Sequence, residues 1–276
     1  MPGFKLSIIL LLSTAPLLAQ PDKTAWEVLK QGLAEKNVDK HRQALTAIGS
    51  IGPVPEGVQL VEQALKTDMD PLIRQTAAAV LGQMKSTQSI PALKAAMDDS
   101  EGEVAFAAAK ALWDIGDKSG RGLIEDVLTG QEKTGEGMVT GAKRDAQRKM
   151  HDPKALTMMG LKEASGALLG PFNIGIIAAE QAFKYSSSGG RTLAIALLAE
   201  DCDAQTVRLL DWSFTNDKSW TVKAAAAKGL GKCGSSDAIP KLETALSDSH
   251  AAVKAMSAAA IIRLSLKPAQ SKSGAQ

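Results

Sequence analysis

Apolar residues recur along this chain at the spacing of an α-helix. In the stretch that begins at Pro71 they fall at positions i, i+4, i+7, i+8 and i+11, which places them on one helical face. These residues are Ile73, Ala77, Val80, Leu81 and Met84. A second, shorter apolar stretch begins at Pro91, and proline is tolerated in the first turn of a helix. The pattern therefore predicts two consecutive helices, each with one face to bury.

This pair of helices returns later in the sequence. The segment IPALKAAMDDSEGEV at 90–104 aligns with IPKLETALSDSHAAV at 239–253, an offset of 149 residues. Within each region the step is 31 residues, as from Ile73 to Val104. A helix pair of this size cannot bury its apolar face alone and does so by stacking on its neighbours. The repeat predicts an all-α fold, an α-solenoid of stacked helical hairpins.

Weaker copies extend the pattern over much of the chain. We predict helix pairs over 38–66, 101–128 and 190–215, a single first helix over 250–266, and a cap helix over Thr24–Glu35. Residues 129–188 break the period with an irregular helical segment of about two repeat lengths. Two alternatives stay open for this segment: two degenerate repeats, or a helical insert. We expect residues 20–267 to form a single solenoid domain.

The two best-matched blocks resemble the HEAT-repeat family, in particular the short bacterial form related to phycobilisome-lyase repeats. The resemblance is carried by DPLIRQTAAAVLGQM at 70–84 with SIPALKAAMDD at 89–99, and by SWTVKAAAAKGLGKCG at 219–234 with AIPKLETALSD at 238–248. It implies a HEAT-like, armadillo-type superhelix whose second helices line a concave face. The polar candidates there are Gln59, Gln63, Lys94, Glu125, Arg208, Asp211 and Lys241.

The first residues are typical of an export signal. Lys5 precedes the short apolar run from Leu6 to Leu12, and Ala19 precedes Gln20. A basic start, a short apolar core and a small residue at the cleavage site define a secretory signal peptide. We therefore predict a signal peptide over 1–19 and a location in the periplasm or outside the cell. No later segment is long and apolar enough to span a bilayer, and the tail 268–276 is predicted to be disordered.

Charge and motifs narrow the function. The chain has 32 Lys and Arg against 30 Asp and Glu, and only 4% aromatic residues. This balance argues against a nucleic-acid partner, because phosphate binding needs a concentrated positive face. His41, His151 and His250 do not form the pairs of a zinc or di-iron site. We therefore predict no enzyme activity, no cofactor and no bound metal.

The two cysteines, Cys202 and Cys233, lie 31 residues apart, which is one repeat period. They are therefore expected near equivalent ends of adjacent first helices. Axes of packed helices lie about 8–10 Å apart, whereas a disulfide needs Cα atoms within roughly 7 Å. Two alternatives remain at this stage, a disulfide or two buried free thiols.

Together these features suggest an exported, non-enzymatic scaffold that binds an unidentified protein partner of the cell envelope. Aromatic and arginine residues are the usual anchors of protein contacts. In the irregular segment they and a neighbouring basic residue give the candidates Arg144, Lys149, Phe172 and Tyr185. The alternatives are a structural spacer without a specific ligand, and a lyase-like enzyme related to the phycobilisome-lyase repeats.

Overall fold

The computed structural model describes residues 21–129 and 187–267, and the regular structure in these ranges is helical, without strands. The predicted all-α solenoid is confirmed. The helices are α1 (Pro21–Leu33), α2 (Val38–Ile51), α3 (Pro55–Thr67), α4 (Pro71–Gln83), α5 (Ile90–Ala96), α6 (Gly102–Ile115), α7 (Arg121–Thr129), α8 (Ser187–Leu198), α9 (Ala204–Asn216), α10 (Trp220–Cys233), α11 (Ile239–Thr244) and α12 (Ala251–Ser265).

A repeated aspartate sets the start of four first helices. The carboxylates of Asp68, Asp99, Asp217 and Asp248 each accept a hydrogen bond from the backbone N–H two residues later, at 2.7–2.9 Å. Such a local bond shapes a tight turn. The turns lead into α4, α6, α10 and α12, so the 31-residue period seen in the sequence is a period of turn chemistry as well as of apolar faces.

Two of these aspartates also hold an arginine from the preceding first helix. Arg74 donates to both carboxylate oxygens of Asp99, each at 2.8 Å, and Arg191 donates to those of Asp217 at 2.7 and 3.1 Å. Burial raises the pKa of the Asp99 carboxyl, but hydrogen bonds from Arg74 and from the backbone of Glu101 outweigh it and hold that pKa below its ordinary value. The pairs therefore fix each hairpin to the turn that follows it.

The first helices are neighbours in the spatial order α6, α4, α2, α12, α10, α8. The two ends of the described chain therefore meet, because α12 packs against both α1 and α2. We call this contact the seam. A hydrogen bond of 2.8 Å from Arg263 Nη1 to the carbonyl of Ser50 crosses it.

The expectation that the N-terminal helix caps the solenoid is wrong. The helix forms, over Pro21–Leu33, but it lies in the middle of the stack and serves as the second helix beside α12. The reason is that its apolar face, with Ala25 and Leu29 fully buried, is covered by α12 as well as by α2. The outer positions in the described stack are those of α6 with α7 and α8 with α9.

Several predictions lie outside the described residues. These are the signal peptide, the disordered tail and most of the irregular segment, including Arg144, Lys149, Phe172 and Tyr185. The borders of that segment shift slightly, since α7 extends to Thr129 and α8 begins at Ser187. In the part of the chain that the structure describes, no helix has both the length and the apolar character of a membrane span.

Candidate anion-binding site

Lys228 is a half-buried lysine with unusual surroundings. It lies on α10, four residues before Lys232 on the same helical face, and two like charges at this spacing repel each other. Its side chain is partly buried, and it has no hydrogen-bond partner within residues 21–129 and 187–267. Burial lowers the pKa of the Lys228 ammonium, the charges of Arg263 and Lys232 lower it further, and the nearby carboxylate of Glu200 offsets part of this shift. The Lys228 ammonium is therefore partly removed from water and lacks a hydrogen-bonded anion among the described residues.

A second cation approaches from the next first helix. Arg263 on α12 uses its Nη1 for the Ser50 carbonyl across the seam, at 2.8 Å. Lys267, just beyond α12, donates to the carbonyls of Lys232 and Gly234 at 2.8 and 2.9 Å, where it caps the end of α10. Burial and the charge of Arg263 lower the pKa of Lys267. Lys267 is thus engaged in capping, as cations at helix C-termini commonly are.

Two cavities share Lys228 and Arg263 as a common wall. The seam cavity, about 350 Å³, lies between these two side chains and the ends of α2 and α4, and Ser50, Gln83 and Lys85 line it. The α8 cavity, about 250 Å³, lies on the other side. Its remaining wall is mostly apolar and comes largely from α8, with Leu193, Ile195, Ala196 and Leu197.

Acidic groups are scarce around this wall. Among the lining residues of the seam cavity there are three cationic side chains and no carboxylate. In the α8 cavity the lining includes one carboxylate, that of Glu200, which pairs with Lys232 at 2.8 Å. The pair with Lys232 lowers the pKa of Glu200, so this group stays ionised at neutral pH. Glu200 also attracts Lys228 electrostatically, but around this wall it is one carboxylate against the three cations Lys228, Lys232 and Arg263.

Among the residues that the structure describes, the candidates predicted from the sequence do not line this basic wall. Among the candidates on the second helices, Lys94 pairs with Asp117 at 3.1 Å and Lys241 pairs with Asp211. The structure joins Cys202 and Cys233 in a disulfide, with Cα atoms 4.9 Å apart, which ties the turn after α8 to the end of α10. In the described ranges no group of three or more His, Cys, Asp and Glu residues is arranged to hold a metal ion.

The basic wall was missed by sequence reasoning, although the repeat register held the signal. Lys228 stands 149 residues after Ala79, so one copy of the repeat has a small apolar residue where the other has a lysine. Lys232, four residues after Lys228, and Arg263, one period after Lys232, place two more cations about one helical turn further along the first helices. The sequence did not show that the two ends of the chain meet, and the seam cavity exists only because they do.

These hairpins, with their 31-residue period and shared turn chemistry, define an α-solenoid repeat protein. A family model for HEAT repeats matches residues 26–128 and 179–263. The chain therefore belongs to the HEAT-repeat family. Among solved structures, the chain is similar to human deoxyhypusine hydroxylase in complex with glycerol, at 18% sequence identity and a TM-score of 0.34. That similarity covers 89% of this chain and 98% of the other. Comparison with curated proteins gives no match.

The prediction of a non-enzymatic scaffold does not stand. One similar solved structure is that of an enzyme, a hydroxylase. The prediction rested on the absence of familiar catalytic motifs, and a fold of this kind does not decide between scaffold and enzyme, because function resides in sites rather than in folds. The chemistry of the site, rather than the fold, therefore decides the function of this chain.

Proposed function

We propose that this HEAT-repeat protein binds a small oxyanion between Lys228 and Arg263, at the seam between its N-terminal and C-terminal helices. The observation that carries the proposal is the partly buried Lys228 ammonium, which has no hydrogen-bond partner among the described residues and is flanked by like charges. An anion placed between these cations would supply the missing hydrogen bonds, and charge-assisted bonds of this kind are the strong ones.

Two further features support the proposal. The common wall opens on two cavities, so a ligand can reach Lys228 without displacing a helix. The seam cavity, at about 350 Å³, has the size of a small-molecule site, and a few convergent charged groups in such a pocket are typical of a binding site.

The test is titration with inorganic phosphate at constant ionic strength, followed by calorimetry and by the melting temperature. We expect phosphate to stabilise the wild-type protein and to bind at least tenfold more weakly to Lys228→Met, which keeps the length of the side chain and removes its charge. Without phosphate, Lys228→Met should be at least as stable as the wild type, because a buried unpaired charge is costly.

The matched control is Lys110→Met. Lys110 stands one period after Ala79, and therefore at the register position of Lys228, but it is exposed and pairs with Asp114 at 2.6 Å. This variant should bind phosphate as the wild type does. Equal stabilisation of all three proteins by phosphate, or none of the wild type, would refute the proposal.

Three sequence-based predictions remain beside this proposal. They are export to the periplasm or cell exterior, a protein partner in the cell envelope, and a closer relation to phycobilisome-lyase repeats. The first two depend on segments outside the described residues, and the third depends on the two quoted repeat blocks. None of them contributes to the argument for anion binding.

A further inference from the structure

The two cavities beside Lys228 differ in character, and the difference bears on the kind of ligand. The seam cavity presents polar and charged groups, among them Ser50, Gln83 and Lys85. The α8 cavity presents a largely apolar wall from Leu193 to Ala199 and the small residues Ala225 and Gly229 of α10. A ligand seated on Lys228 therefore has a charged environment on one side and an apolar one on the other.

From this juxtaposition we infer that the preferred ligand is a small anionic amphiphile, with its acidic head between Lys228 and Arg263 and a short alkyl body in the α8 cavity. The inference rests on the proposed function, since it extends the same site. Charge complementarity selects the head, because the wall is cationic and Glu200, the one acid among the lining residues, is paired with Lys232.

The size of the α8 cavity sets the length of the body. An apolar cavity of roughly 150 Å³ accommodates benzene, with six carbon atoms. The α8 cavity, at about 250 Å³, therefore has room for an alkyl chain of about six carbons. Leu197 is 64% exposed, so the apolar wall continues to the protein surface and gives the chain a route of entry.

The experiment compares hexyl phosphate with inorganic phosphate by calorimetry on the full-length protein. Each buried methylene strengthens binding by roughly threefold to fourfold. We expect hexyl phosphate to bind at least about tenfold more tightly than phosphate, and 1-hexanol to bind far more weakly than hexyl phosphate because it lacks the charge. Hexanoate compared with acetate applies the same test to a carboxylate head.

Substitutions on α8 test whether the alkyl body of the ligand binds in the α8 cavity. Ala196→Phe fills the α8 cavity and should abolish the advantage of hexyl phosphate while phosphate still binds. The matched control is Ala194→Phe, on the same helix but exposed and outside the cavity lining, which should keep the advantage. Should Ala196→Phe fail to fold, Leu197→Ser removes part of the apolar wall without filling the cavity, and the advantage should fall severalfold.

The outcomes separate this inference from the proposed function. If phosphate binds in a manner that depends on Lys228 but hexyl phosphate binds no more tightly, the amphiphile is refuted and the anion site stands. If hexyl phosphate binds Lys228→Met as well as it binds the wild type, its binding is merely apolar and the inference is also refuted. If neither compound binds, the proposed function itself fails.

Discussion

Glycine at two equivalent positions controls how closely adjacent first helices approach. A Cβ added at Gly82 would lie 2.8 Å from the Cα and 2.9 Å from the Cβ of Ala111, and one at Gly231 would lie 2.8 and 3.0 Å from the same atoms of Ala260. Ordinary contacts of this kind begin at about 3.4 Å. Because the obstacle includes backbone, no side-chain rotation can relieve it, and the two helices must separate by about half an ångström.

This separation of the helices lowers the free energy of unfolding. Overpacking a well-packed core costs about 1–3 kcal/mol, and a gap of 0.5–1 Å forfeits a quarter to a half of each dispersion contact. Replacing glycine by alanine inside a helix recovers about 1 kcal/mol of helix propensity. The expected net loss for Gly82→Ala or Gly231→Ala is therefore about 0–2 kcal/mol, a fall in the melting temperature of up to roughly 8 °C for a domain of this size.

The matched control is Gly122→Ala on α7, where an added Cβ would meet nothing within 4 Å. There alanine only reduces the freedom of the unfolded chain, so we expect a gain of about 0.4–1 kcal/mol. Urea denaturation followed by far-UV circular dichroism measures all three variants. If Gly82→Ala or Gly231→Ala stabilises the protein as Gly122→Ala does, the close approach of the helices described here is incorrect.

Three further changes test other parts of the fold. Asp99→Asn should cost about 1.5–3 kcal/mol at pH 7, because it removes the charge from a mostly buried pair with Arg74. Since the folded pKa of Asp99 is below its unfolded value, that stability is present above the unfolded pKa and lost as the pH falls through the folded one, so urea midpoints of variant and wild type should converge in acid. Leu230→Asp places a charge at a fully buried position and should lower the melting temperature severely or prevent folding; an unchanged melting curve would contradict the repeat register. Replacing Cys202 and Cys233 together by Ser should cost about 3–4 kcal/mol for a loop of this length, and equal stability of the wild type with and without reductant would indicate free thiols.

Local features of the fold were predictable because short stretches of sequence determine them. The cap at Asp70 illustrates this: its carboxylate accepts from the backbone N–H of Leu72 at 2.8 Å, and Pro71 occupies the first helical position, as the residue types require. The helix bounds follow from such signals and from the apolar period. The helix pair predicted over 38–66 corresponds to α2 and α3, and α3 ends one residue later, at Thr67.

The arrangement of the repeats was not predictable in the same way. Nothing in the apolar face of α1 distinguishes a helix covered on one side from a helix covered on both, since Ala25 and Leu29 would be buried in either case. The site depends on this arrangement, because Ser50 and Arg263 are 213 residues apart and meet only across the seam. A periodic pattern specifies each hairpin and its nearest neighbours along the chain, but not which distant hairpin closes the stack.

The position of the proposed site at the seam couples ligand binding to the union of the two chain ends. The seam cavity draws Ser50, Gln83 and Lys85 from one half of the stack, and Lys228 and Arg263 from the other. An anion held by Lys228 and Arg263 that also contacts Ser50, Gln83 or Lys85 would bind only the joined form and would stabilise it by mass action. By reciprocity, the joining of α12 to α1 and α2 would strengthen binding of such a ligand by the same free energy as the ligand stabilises the joined form. On the proposed function, anion binding and the joining of the two chain ends are coupled, and a bound anion would remove the cost that the unpaired Lys228 imposes on the empty protein.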